Sequence, residues 1–168
     1  MSVLDPATGK SRFVIVPASY VFLLRETDAG ARGRVTEVLL QLRQNTGYMD
    51  AHWAAAAAGH IERGETAESA ARREALEELA ITDLDLAFAT AMQRTAHDLP
   101  IDERVDFFFT ARSWSGEPRI VEPAKCADLR WFALDDLPVP VVPHEAVVLE
   151  GLRRGDLAPL THHGFRLD

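Results

Sequence analysis

Between Gly59 and Ile81 the chain reads GHIERGETAESAARREALEELAI, in which six residues hold the spacing G-x5-E-x7-R-E-x2-E-E. On an α-helix, residues at i, i+3 and i+4 share one face, so Glu74, Glu77 and Glu78 are brought together. Like charges at these spacings repel, so something positive has to offset them. A hard divalent cation, which takes oxygen ligands, meets that need. The fold must therefore give this helix one side open to an ion and one side packed on a core. Leu76 and Leu79 are expected to supply the packed side. Thr66, three residues before Ser69, is the expected N-cap of a helix running to about Ala80.

An acidic helix face is more often simply solvated, and Glu68–Arg72 and Arg73–Glu77 stand at ion-pair spacing. Six fixed residues, each at roughly one in fifteen, nevertheless match by chance on the order of once in ten million starting positions. The spacing resembles the Nudix box, G-x5-E-x7-R-E-U-x-E-E-x-G-U with U aliphatic. Gly59, Glu65, Arg73, Glu74, Glu77, Glu78 and Ile81 match it, with Ala75 as a small U. Two places depart. Ala80 stands where the family has its second glycine, which implies a different helix exit, and Trp53 is followed by the alanines 54–58 without the usual proline. Supporting similarity extends over roughly residues 12–155. It includes Val38–Tyr48, the strand Val105–Arg112 with the turn Trp114–Pro118, and Leu129–Pro138, the middle pair resembling MutT-type members.

The resemblance implies the Nudix fold, an α/β/α sandwich with a central mixed β-sheet. It implies hydrolysis of the diphosphate linkage in a nucleoside diphosphate derivative, a nucleoside triphosphate being favoured, with Mg2+ or Mn2+ as cofactor. Glu74 and Glu78 match the principal metal ligands and Glu77 a further one, while the Gly59 carbonyl adds an oxygen from the loop. Glu65 and Arg73 match a supporting pair in which the arginine orients the glutamate, and Glu122 falls where some members carry an extra ligand. The base that deprotonates water is one of these glutamates or a carboxylate outside the box. The partner is then a nucleotide-type small molecule, and homodimers are frequent in the family.

Two other readings share the fold. A catalytically silent binding module is disfavoured because all four box glutamates are present. An isomerase of the isopentenyl diphosphate type needs a cysteine beside the diphosphate, and Cys126 lies far along the chain from the box.

Charge and composition narrow the classes further. A net charge of −8 gives no electrostatic footprint for a nucleic acid polymer or an anionic membrane surface. The lone cysteine excludes an internal disulfide and a zinc-thiolate cluster, and His52, His60, His97 and His144 lack zinc-site spacing. No apolar run suits a membrane span or a signal peptide, so a cytoplasmic protein is expected. Neither a Walker P-loop nor a G-x-S-x-G elbow occurs.

Residues 1–11 read as a flexible N-terminal arm and 12–168 as a single domain. Strands are expected within 13–24, at 35–42, near 84–94 and 104–112, and around 129–132. A last helix is expected over 144–154, between Pro143 and Gly155, with His162 and His163 in an exposed tail.

Overall fold

The computed structural model describes residues 2–28, 30–96 and 99–166, so His97 lies outside the described residues. Ser2–Leu4 (β1) and Ser11–Phe13 (β2) pair antiparallel as a separate, exposed hairpin, which covers most of the expected arm 1–11 and extends beyond it to Phe13. Val16–Asp28 (β3) is the spine of the main sheet. It runs parallel to Arg104–Ala111 (β8), beyond which lie Ala87–Arg94 (β7) and Leu160–His163 (β10). On its other side β3 changes partner. Ala18–Val21 pair antiparallel with Ala57–His60 (β6), and Leu24–Asp28 pair with Arg34–Arg43 (β4). The far part of β4 then takes Trp53–Ala55 (β5) and Cys126–Ala133 (β9) as its neighbours. With parallel pairs at β3–β8 and β10–β7, the sheet is mixed, as expected.

Alternation along β3 builds two cores, because successive side chains point to opposite faces. Tyr20, Phe22 and Leu24 join Phe108, Met92, Val148 and Leu149 under Pro143–Arg154 (α2). Val21 and Leu23 join Phe109, Leu39, Ala75 and Leu79 under Ala67–Leu79 (α1). The result is the α/β/α sandwich. Proline opens α2, and Gly155 closes it in the left-handed conformation.

Helix α1 starts as its sequence demands. Thr66 accepts from the Ser69 amide while the Ser69 hydroxyl accepts from the Thr66 amide, a reciprocal capping box. Four expectations need correction. Leu76 is 53% exposed whereas Leu79 is 2% exposed, because the buried stripe follows Ala71, Ala75 and Leu79, and Leu76 lies a further 100° or so around the helix. Ala80 makes the same left-handed exit that a glycine would, at φ 57°, with its amide donating to the Leu76 carbonyl and the following Ile81 amide to the Ala75 carbonyl. The alanine run is two short strands with Ala54, Ala55, Ala56 and Ala57 buried, rather than a loop. Small side chains let this segment lie between layers. His162 and His163 also belong to an edge strand instead of a tail.

Candidate active site

Two cavities meet where β4, β6 and the loop after β4 converge, sharing Arg43, Thr46, Ala58 and Gly59. The first, of about 400 Å³, is lined by Glu74, Glu77 and Glu78 from α1 and by Glu122 and Lys125 from the segment before β9. The fold holds that segment against the end of α1: the Arg119 amide donates to the Leu79 carbonyl and the Val121 amide to the Glu78 carbonyl. Glu74, Glu77 and Glu78, with Gly59 and Glu122, thus face one space, and Glu65 stands outside its lining.

Arg73 organises the helix side of this cavity. Its Nε and Nη2 donate to the two oxygens of Glu65 at 2.8 and 3.0 Å, a bidentate pair, and Nη2 also donates to the His60 carbonyl at 3.0 Å. Its Nη1 donates to Glu74 Oε1 at 2.6 Å and to Glu77 Oε2 at 3.1 Å. Glu65 is held at about 2 by the Arg73 hydrogen bonds and the Glu62 amide. Arg72 turns away to the Leu84 carbonyl at 2.7 Å.

Glu74 lies directly against Gly59, and a Cβ at that position would stand 2.0 Å from its Oε1. Burial raises the Glu74 carboxyl even with Arg73 beside it. Glu78 is pushed up to about 8, first by burial and then by the Glu74 and Glu122 charges, although its Oε2 accepts from the Ala58 amide at 2.8 Å. Glu122 is gripped by Lys125 Nζ at 3.1 Å. Among the described residues, no three such side chains are closed into a ligand shell. The donor set nevertheless fits a hard cation. Half-buried carboxylates raised by burial and mutual repulsion stand against the backbone of Gly59, where a Cβ would displace the Glu74 carboxylate.

Cys126, expected to be remote, is buried at the start of β9 opposite Arg43. Its thiol donates to the Asp128 carbonyl at 3.2 Å and is raised by burial, with the Glu78 charge contributing.

The second cavity, of about 480 Å³, was not legible from the sequence. Its wall carries Tyr20, Arg94, Arg104, His144 and Glu145, with Tyr48 at the rim. Asp106 lies beneath, 0% exposed, accepting from Arg94 Nε at 2.8 Å and from Arg104 Nε at 3.4 Å. Burial holds His144 neutral to about 2, and among the described residues its Nε2 has no hydrogen-bond partner. The only available signal was polar residues at core-facing strand positions, such as Asp106 within VDFFF. Trp53 packs edge-on against Phe132, and Phe108 and Phe109 are in the cores, so none of these three rings is free to stack on a base. His60 also lines the second cavity.

The family model for the NUDIX domain matches residues 16–152. Among solved structures, a MutT NUDIX hydrolase from Burkholderia pseudomallei is 28% identical with a TM-score of 0.62, covering 79% of this chain and 96% of that one. A MutT protein from Bacillus halodurans has 21% identity and a TM-score of 0.65, covering 89% and 90%. The NUDIX domain of Shewanella oneidensis NrtR, solved with ADP ribose, has 20% identity and a TM-score of 0.64, covering 89% and 92%. The latter two likenesses are of fold. No helix among the described residues is long and apolar enough to cross a membrane.

Proposed function

Because the chain belongs to the NUDIX family, we propose that it is a magnesium- or manganese-dependent hydrolase of the diphosphate linkage in a nucleoside diphosphate derivative, nucleoside triphosphates being the favoured class. The observation that carries this reading is the gathering of Glu74, Glu77, Glu78 and Glu122 with Gly59 around one cavity. Glu74, Glu78 and the Gly59 carbonyl are the groups that would hold the ion, with Glu77 and Glu122 completing its surroundings. A bound divalent cation supplies charge neutralisation on the phosphate oxygens and a more acidic water.

The chain's own residues do the rest. Arg73 fixes the orientation of Glu65 and Glu74 through four hydrogen bonds to carboxylate oxygens of Glu65, Glu74 and Glu77. Arg43 and Lys125 face the same cavity and present cationic donors to the phosphate chain. A carboxylate of this cavity receives the proton of the attacking water, and the anhydride bond breaks in line with that attack.

The test is a panel of canonical and oxidised nucleoside triphosphates, ADP ribose, nucleotide sugars and dinucleoside polyphosphates, assayed with magnesium for phosphate and pyrophosphate release. The expected result is cleavage of one class, abolished by EDTA and restored by magnesium or manganese. Activity that persists in the chelator removes the metal mechanism. Binding without cleavage of any compound favours the silent module.

A further inference from the structure

Three guanidinium groups, those of Arg43, Arg94 and Arg104, line the second cavity of a chain whose net charge is −8. Among the described residues, Asp106 is the only carboxylate ion-paired with any of them, and Arg94 and Arg104 share it. Arg43 pairs with no carboxylate and donates to the Thr46 hydroxyl and the Tyr48 carbonyl, each at 3.0 Å. Arg94 sends one further N–H to the Tyr48 hydroxyl at 3.2 Å. Each guanidinium has five N–H donors, and partners among the described residues take a minority of them.

The acids in the wall do not supply the missing acceptors. Glu145 is turned to the Ala55 amide and is pushed up to about 7 by burial. Asp102 accepts from the Leu99 amide at 2.9 Å. Helix α2 begins in the same wall, and its N-terminus adds partial positive charge. The side chain of His144, also in this wall, is 3% exposed, and among the described residues its Nε2 has no hydrogen-bond partner, standing 4.0 Å from Asp106 Oδ2. Forked guanidinium donors match the oxygens of a phosphate. The residues common to both cavities make them adjoin, so a path leads from the carboxylates to these arginines.

We propose that the second cavity is a subsite for a non-scissile phosphate, so that the preferred substrate carries a phosphate monoester in addition to the diphosphate that is cleaved. The position of the subsite along the substrate rests on the hydrolase reading above. NADPH and NADH differ by one such phosphate, and so do coenzyme A and dephospho-coenzyme A.

With magnesium, kcat/KM for the phosphorylated member of at least one pair should exceed that of its partner by about tenfold or more, the size of one charge-assisted hydrogen bond. Arg104→Gln should bring the ratio toward one, and Arg104→Lys should retain part of it, with circular dichroism and Tm checking that both variants fold. Calorimetric binding of the same compounds to the Glu78→Gln protein with magnesium gives a readout independent of cleavage. If no pair is cleaved but the phosphorylated members bind more tightly and Arg104→Gln removes the difference, the subsite stands and the hydrolase reading falls. Equal rates and equal binding within both pairs, or a preference that survives Arg104→Gln, overturns the subsite.

Discussion

Gly59 has no room for a side chain. An added Cβ would lie 2.0 Å from Glu74 Oε1 and 2.2 Å from its Cδ, so the group that must move is the carboxylate proposed to hold the ion. The far end of a glutamate can swing aside at little cost to the fold, whereas a misplacement of about 1 Å in an active site costs about 10²-fold in rate. Gly59→Ala should therefore lower kcat by about that factor with little change in Tm. A variant with full activity would show that the contact between Gly59 and Glu74 has no bearing on turnover. Ala80 is the reverse case, a residue with a Cβ held at φ 57°. Left-handed backbone costs an L-residue about 1 kcal/mol, and glycine none of it. Ala80→Gly should raise the free energy of unfolding by up to about that amount in denaturant titrations, and an unchanged or lower midpoint would contradict the assignment.

At the scale of the element, α1 was legible where local chemistry decides and illegible where packing decides. The Thr66–Ser69 capping box and the shared side of Glu74, Glu77 and Glu78 follow from spacing alone. The buried stripe does not, because apart from Leu79 it is made of alanines, which carry a weaker apolar signal than the exposed Leu76. Leu79→Ala should cost about 2–5 kcal/mol, as for a buried leucine, and Leu76→Ala within about 0.5 kcal/mol, as for a surface change. Chemical denaturation of both variants checks this, and equal losses would place Leu76 in the core after all. The alanine run is the same lesson in strand form. Alanine has no strand preference, and burial on both sides removes the alternation by which a strand is recognised. Strands β4, β7 and β8 kept apolar or β-branched signals, and their expected ranges lie close to the observed ones.

At the scale of the whole molecule, the box and its flanks made the sandwich legible, but the second cavity is assembled from β3, β7, β8 and α2, which no local pattern joins. Its buried acid and imidazole also make stability depend on pH. Glu145 is raised to about 7 from 4.5, so between those values the native state holds a proton that the unfolded chain releases, and stability falls as pH rises. His144 is lowered to about 2 from 6.5, so below 6.5 the unfolded chain takes up a proton that the native state refuses, and stability falls as pH falls. One proton corresponds to about 1.4 kcal/mol per pH unit, and from 4.5 to 6.5 the two contributions oppose each other. Replacing one should expose the other. Compared with the parent protein, Glu145→Gln should gain stability with rising pH in this window and His144→Asn should lose it, as measured by denaturant midpoints across the range. Identical pH profiles for the three proteins would contradict buried, oppositely shifted groups.

The central claim is that the carboxylate cavity performs metal-dependent cleavage of a diphosphate, and Glu78 is the residue on which it turns. The most direct measurement is kcat of Glu78→Gln with saturating magnesium on the best substrate of the panel, alongside the Tm of the same sample. The account predicts a fall of orders of magnitude in kcat with the fold intact. Turnover equal to that of the parent protein would contradict it.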